Sequence, residues 1–376
     1  MRILGVFKAA IIDDGAAAHL FENVRCVTVD GNLQIYENEN FTTEHNHSST
    51  CIKIIKKYTD ISNIDWIDIN IINTEYTGNI CNFLKALEYC RKNGVKLIHL
   101  SIGSRDFRDF ERIKKETELL LKKNTIMVAA LSNEDEYTSP ACLEGVIGVK
   151  CSASLKDNEL FYLEDNPEKI NFLASSKHLL RRDGVLNYSS LSNSYATPVV
   201  TAAAIDALKE NPTMNVYEVI EKIKSRSKEF LIYKAPQIFE KGTEDMLETP
   251  VVMVRLKDIS VQDELVRSLK EQFIKKGYNA FCSYSFSKDK NRLPSDRLIN
   301  YLLYIQKFYR SDIIILSYTD QKPYSDFHSY DVVISDYSMN NFDFMYHAGK
   351  LIEFSDLNNS ITVINKILNE FEEGAM

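Results

Sequence analysis

The chain is short of several features that would place a protein at once. No apolar run is long enough for a membrane-spanning helix. Positive charge is in deficit: 45 Lys and Arg stand against 53 Asp and Glu, a formal net charge of −8. That balance argues against nucleic acid or an anionic membrane as a main partner. No secretory leader is expected, because Met1-Arg2-Ile3-Leu4 runs straight into an apolar strand pattern. The seven cysteines are scattered singly, an odd number without disulfide or zinc spacing. They read as buried thiols in a reducing compartment, which predicts a cytoplasmic protein with no metal. What remains is a globular chain of 376 residues, 44% hydrophobic, long enough for two domains with their own cores.

Chemistry-bearing residues stand at the ends of its apolar segments. Ile3 to Ile12 is a nearly continuous apolar run, as in a strand buried on both faces, and it ends in Asp13-Asp14-Gly15. Open α/β sheets place their sites at that end of a strand. Taken alone, Asp13 is equally a turn former. His47 is followed by Ser48, Ser49 and Thr50, any of which would cap the helical pattern beginning there. His45 lies two residues earlier, so a metal-binding pair is an alternative, although no Cys or carboxylate at ligand spacing accompanies it. Ile126 to Leu131 is a second buried strand, ending in Ser132-Asn133. An amide there is a candidate donor to a developing oxyanion. Ser194 precedes Ala196-Thr197-Pro198 and an alanine-rich buried helix, Val199 to Leu208. A hydroxyl at a helix mouth is a candidate nucleophile.

Together these segments resemble the subtilisin-like serine peptidases. The family's V-I-D-T-G is similar to Ile11 through Gly15, and its H-G-T-x-V-A-x-I-I to His47 through Ile55. Its A-A-G-N is similar to Ala130 through Asn133, and its G-T-S-M-A-T-P-H-V to Ser192 through Val200. The segment Cys81 to Gly103 resembles the family's helix, strand and S-L-G stretch, and Pro140 to Val149 its P-A-x-x-x-G-V-I-A-V. The resemblance covers roughly residues 1–235. It implies a three-layer α/β fold around a mostly parallel sheet, and serine endopeptidase activity through an acyl-enzyme. It assigns Ser194 as nucleophile, His47 as base, Asp13 as the residue that orients it, and Asn133 with the Ser194 N–H as oxyanion donors. Ser101, Ile102 and Gly103, with Ala130, Leu131 and Ser132, would line the substrate. No cofactor or metal is implied; Asp30, Asp60 and Glu134-Asp135-Glu136 read as solvated loop charge.

Three family glycines are serine here: Ser48, Ser132 and Ser192. Glycine admits close backbone approach and unusual φ, so the replacements predict a narrowed cleft and a restricted substrate range. A peptide-binding module of poor activity is the alternative they raise. Secreted members carry a propeptide; with the first strand pattern starting at Ile3, none is expected here. The resemblance therefore points to cytoplasmic members of bacterial peptide-maturation systems, which remove a leader from a ribosomally made peptide.

Residues 1–234 form this predicted domain, 235–250 a linker bounded by prolines, and 251–376 a smaller α/β domain. In the last, strands Val251–Leu256, Tyr278–Ser283, Asp312–Leu316 and Tyr330–Ser335 alternate with helices 262–276, 297–308 and 361–371, which argues a parallel sheet. It has neither G-x-x-x-x-G-K-[ST] nor G-x-G-x-x-G, so nucleotide binding is not predicted. Its aromatic density, from Phe281 to Phe286 and at Tyr318, Tyr324, Tyr330 and Tyr337, suggests a homodimer interface or a surface for the substrate polypeptide.

Overall fold

The computed structural model describes residues 7–38, 46–72, 79–163, 168–182, 184–228, 247–283, 298–317, 330–336, 348–353, 363 and 365–368. Its contacts divide the chain into two units, Met1–Ala235 and Pro236–Met376. The predicted linker falls largely within 229–246, outside the described residues, as do His45, Tyr318, Tyr324 and Tyr337.

The first unit is built on nine strands: β1 (Phe7–Asp13), β2 (Val24–Val29), β3 (Ile35–Asn38), β4 (Ile64–Asn70), β5 (Leu97–Leu100), β6 (Ile126–Ala130), β7 (Ile147–Cys151), β8 (Leu160–Tyr162) and β9 (Phe172–Ala174). Their order across the sheet is β3-β2-β4-β1-β5-β6-β7-β9-β8. Every pairing is parallel except those of the edge strands β3 and β8. Helices α1 (His47–Tyr58), α2 (Ile80–Lys92), α3 (Phe107–Leu121), α4 (Asn193–Glu210) and α5 (Val216–Lys224) complete it, with a hairpin of β10 (Leu179–Arg182) and β11 (Val185–Tyr188).

The central strands are apolar on both faces because both faces are covered. Phe7, Ala9 and Ile11 of β1, Leu97 of β5, Ile126 and Val128 of β6 and Ile147 and Val149 of β7 join one core with α1, α4 and α5. The intervening Ala10, Ile12, Ile98, Leu100, Met127 and Ala129 are equally buried but lie outside that core. α2 and α3 pack on each other, with α2 against β1 and β2. Alanine at 196, 202, 204 and 207 suits α4 to its place, since all four are buried as the helix lies over β5, β6 and β7.

Among the described residues the second unit has five strands, β12 (Val251–Arg255), β13 (Ala280–Ser283), β14 (Ile313–Ser317), β15 (Tyr330–Ser335) and β16 (Ala348–Glu353). They form an all-parallel sheet in the order β13-β14-β12-β15-β16. Helix α6 (Ile259–Lys275) covers the face carrying Val252, Val254, Ile313, Ile315, Val332 and Ile334. Helix α7 (Leu298–Tyr309) covers the face carrying Val251, Met253, Ile314, Leu316 and Val333. Gly277, at φ +97°, follows α6 and ends it, as its position in the sequence predicts.

Candidate active site

The sheet brings the sequence-predicted residues to one edge. Asp13 is the last residue of β1, and Gly15, at φ +82°, turns the chain away. The Asp13 carboxyl is buried. Its Oδ1 accepts from the Asp14 N–H at 2.9 Å, and its Oδ2 lies 2.8 Å from His47 Nδ1. Parallel pairing puts Ile12 opposite Leu100, so the residue that follows the neighbouring strand β5, Ser101, emerges beside Asp13. The Ser101 hydroxyl donates to Asp13 Oδ2 at 2.8 Å. Its side chain thus serves the aspartate, a role its assignment to the substrate cleft did not foresee.

His47 opens α1, and the helix cap differs from expectation. Ser48, Ser49 and Thr50 are inside the helix; Asn46 is the N-cap, and its Oδ1 accepts from the Ser49 N–H at 3.1 Å. Asp14 takes two more of the orphan donors, the N–H of His47 at 3.0 Å and of Ser48 at 2.8 Å. The Asn46 amide also bonds the Gly15 carbonyl. The D-D-G turn and the start of α1 are therefore laced together, and the imidazole is aimed by backbone on both sides.

His47 Nε2 lies 2.9 Å from Ser194 Oγ. With Nδ1 facing a carboxylate, the neutral ring carries its hydrogen there and presents a lone pair to the serine hydroxyl. Ser194 is the second residue of α4, whose N-cap is Ser192. Pro198 lacks an N–H, so the Ser194 carbonyl has no helical partner four residues on. Cys51, one turn along α1 from His47, faces that carbonyl with its Sγ at 3.7 Å, and the same sulfur is 3.9 Å from His47 Nδ1. The Tyr195 ring stacks on the His47 ring, centroids 5.0 Å apart. Behind it the buried His178 faces the Tyr195 and Ser175 carbonyls with Nε2, both at 3.0 Å, and the Tyr58 hydroxyl with Nδ1 at 2.8 Å.

Asn133 stands beside the start of α4. Its Oδ1 accepts from the Asn193 N–H at 2.8 Å, which fixes the amide and leaves Nδ2 as its donor. Buried Asn193 ties three segments together: its Nδ2 donates to the Ser132 carbonyl at 2.7 Å and its Oδ1 accepts from the Cys151 N–H at 2.7 Å. The neighbouring backbone is also committed. The Leu131 N–H donates to Val149 and the Ser132 N–H to Thr138 Oγ1, both at 2.9 Å, while Ala130 and Leu131 are buried. Ile102 is half-buried and Gly103 exposed. A Cβ on Gly103 would come within 2.7 Å of the Ser139 carbonyl, so that glycine is required by close approach.

None of the three serines that replace family glycines has positive φ among the described residues, so none strains the backbone. The other carboxylates are not simply solvated. Asp30 accepts from the N–H groups of Asn32 and Gln34, Asp60 pairs with Lys209, Glu134 and Glu136 with Arg105, and Asp135 with Lys150. Among the described residues, the group of potential metal ligands within 4.8 Å of one another is Asp13, His47 and Cys51. Its Nδ1 is the atom already facing Asp13.

Electrostatics follow from this packing. Burial pushes the Asp13 carboxyl up, but the His47 bond and charge and the Ser101 hydroxyl outweigh it and hold the group below the ordinary value. Burial pushes the His47 imidazole down; the Cys51 sulfur and the Asp13 carboxylate overcome this, and its pKa is raised. Buried His99, with Nδ1 2.8 Å from Thr201 Oγ1 and Nε2 3.2 Å from Ser101 Oγ, is driven down to about 3 by burial and stays neutral. Asp68, opposite Ile11 on β4, accepts from the Ala16 N–H at 2.7 Å. Burial, with Asp13 and Asp14 nearby, holds its carboxyl well above the ordinary value.

No protein-family model and no curated protein matches the sequence. Among solved structures, the chain is similar to a cold-adapted subtilisin-like serine proteinase, at 15% identity over 59% of this chain and 83% of that one, with a TM-score of 0.46. It is also similar to the psychrophilic protease S41, at 14% identity over 59% and 83%, TM-score 0.49. A lanthipeptide protease is similar at 16% identity over 58% and 80%, TM-score 0.43. In the chain order of its motifs, the parallel sheet whose edge carries them and the Asp13–His47–Ser194 geometry, the first unit is an α/β fold that resembles the subtilisin-like one.

Proposed function

We propose that this protein is a serine endopeptidase. The observation that carries the reading is the continuous chain from Asp13 Oδ2 through His47 to Ser194 Oγ, at 2.8 and 2.9 Å. On this reading Ser194 Oγ attacks the scissile carbonyl carbon as its proton passes to His47 Nε2. Asp13 and its Ser101 bond stabilise the imidazolium that results. Asn133 Nδ2 and the Ser194 N–H receive the developing oxyanion. His47 then returns the proton to the leaving amine, and water repeats the sequence on the acyl-enzyme.

The substrate we propose is a restricted set of polypeptides, such as the leader segment of a ribosomally made peptide. The motif resemblance supports it, as does the committed backbone around Ser132. A cytoplasmic setting is supported by the scattered spacing of the seven cysteines, which offers no disulfide framework. No helix among the described residues is long and apolar enough to cross a membrane. The net charge speaks against nucleic acid, and the second unit would supply a dimer or substrate-docking surface.

Reaction with a fluorophosphonate, compared with Ser194→Ala, tests the reading. Labelling of the wild type that vanishes in the variant supports it; labelling that survives removes Ser194 as nucleophile. A folded wild type that takes no label would favour a peptide-binding module. Mapping cleavage sites in a peptide library by mass spectrometry then defines the substrates.

A further inference from the structure

Ser192, the N-cap of α4, takes a backbone donor that the proposed reaction needs. Its Oγ accepts from the Ser194 N–H at 3.2 Å, the same donor that an attacked carbonyl oxygen needs. The same Oγ is 2.6 Å from Ser194 Oγ and 3.3 Å from Asn133 Oδ1. When neutral His47 accepts the Ser194 hydrogen at Nε2, the hydrogen of Ser192 is shared between Ser194 Oγ and Asn133 Oδ1. One hydroxyl thus holds the backbone donor and a lone pair of the nucleophile together. Ser192 is extended, at φ −161° and ψ 140°, and half-buried, so its side chain turns about Cα–Cβ without moving the backbone.

We propose that the Ser192 hydroxyl is a gate on the oxyanion site, closing it in the free protein and rotating away when a substrate carbonyl enters. The proposal rests on the serine peptidase reading. Once the gate opens, Ser194 Oγ forms its bond to the carbonyl carbon, the carbonyl π pair moves to oxygen, and the proton goes to His47 Nε2. The vacated Ser194 N–H and Asn133 Nδ2 then face the new charge. A residue with no side chain at position 192 would leave the site open at all times. The hydroxyl lowers the basal reactivity of Ser194 toward any electrophile that does not drive the rotation.

The second-order rate of labelling by a simple alkyl fluorophosphonate tests this, because that probe has no peptide contacts with which to displace the hydroxyl. The wild type is compared with Ser192→Ala, Ser192→Gly and Ser192→Thr, each checked by its thermal midpoint. We expect labelling about 3- to 10-fold faster in the Ala and Gly variants and near the wild-type rate in the Thr variant, which keeps the hydroxyl. Should the lost cap unfold the Ala variant, the Gly variant carries the comparison, since glycine is tolerated at an N-cap. Equal or slower labelling in the folded Ala or Gly variant overturns the gate while leaving the peptidase intact. Absence of labelling in the wild type and every variant overturns the peptidase reading, and the gate with it.

Discussion

Ser101 and His47 hold the same oxygen of Asp13, each at 2.8 Å. The serine arrives from the end of β5 and the histidine from the first residue of α1. The carboxylate is therefore fixed by two elements that share no local sequence.

Ser101→Ala removes one hydrogen bond to a buried charge, worth about 1–2 kcal/mol. Its loss should slow acylation roughly 5- to 30-fold with the fold intact. The rate of fluorophosphonate labelling beside the thermal midpoint checks this; an unchanged rate would mean that His47 alone orients Asp13.

Acylation needs His47 neutral, with its Nε2 lone pair free. Because the His47 pKa is raised, the protonated and inactive form persists above the ordinary imidazole range, and activity should climb with pH to a midpoint above about 6.5. Cys51 and Asp13 are the causes, so Cys51→Val should move the midpoint down. A pH–rate profile of both proteins decides; a midpoint that stays put leaves Asp13 as the sole cause.

Asp68 is fully buried, and its Oδ1 has no hydrogen-bond partner among the described residues. Its folded-state pKa is raised, so the folded chain holds the proton after the unfolded chain has released it near pH 4. The stability it contributes is full below that pH and falls as pH rises toward the folded value. Asp68→Asn, which cannot ionise, should gain stability relative to wild type by roughly 1–3 kcal/mol at pH 8 and by little at pH 4. Denaturant midpoints at the two pH values measure it, and a gain equal at both would refute it.

Asn46→Ala should cost about 1 kcal/mol, the usual loss of a helix cap. In a unit of this size that lowers the melting midpoint by roughly 2–4 °C. It should also slow labelling, because Asn46 joins the helix that carries His47 to the Asp13-Asp14-Gly15 turn. A slower rate at an unchanged midpoint would show that the cap serves geometry alone.

Much of the fold was legible in the chain. Continuous apolar runs marked β1, β5, β6, β12, β14 and β15, because strands covered on both faces carry no polar alternation. Their observed ends lie within a few residues of those predicted: Val251–Leu256 became Val251–Arg255, and Asp312–Leu316 became Ile313–Ser317. Short, half-exposed elements were not legible. The edge strands β3 and β8 and the hairpin of β10 and β11 have no strong period, and their pairing is decided by the strands beside them. The cap of α1 was misplaced from Asn46 onto Ser48 to Thr50 because Asn, Ser and Thr all cap helices, and only the Gly15 carbonyl and the Asp14 carboxylate select among them.

For the candidate site the division is sharper. The sequence by itself placed Asp13, His47, Asn133 and Ser194 at strand ends and helix starts, and the motif resemblance, rather than periodicity, singled them out as the candidate site. It could not show that Ser101 turns to Asp13, that Cys51 reaches His47, or that Ser192 takes the Ser194 N–H. The first two contacts join residues 88 apart across a parallel register, or lie within the 4 Å reach of one helical turn. The third depends on one rotamer. A hydrogen bond is set by distance and angle to a few tenths of an ångström, and that precision exists only once the sheet and helices have closed around it.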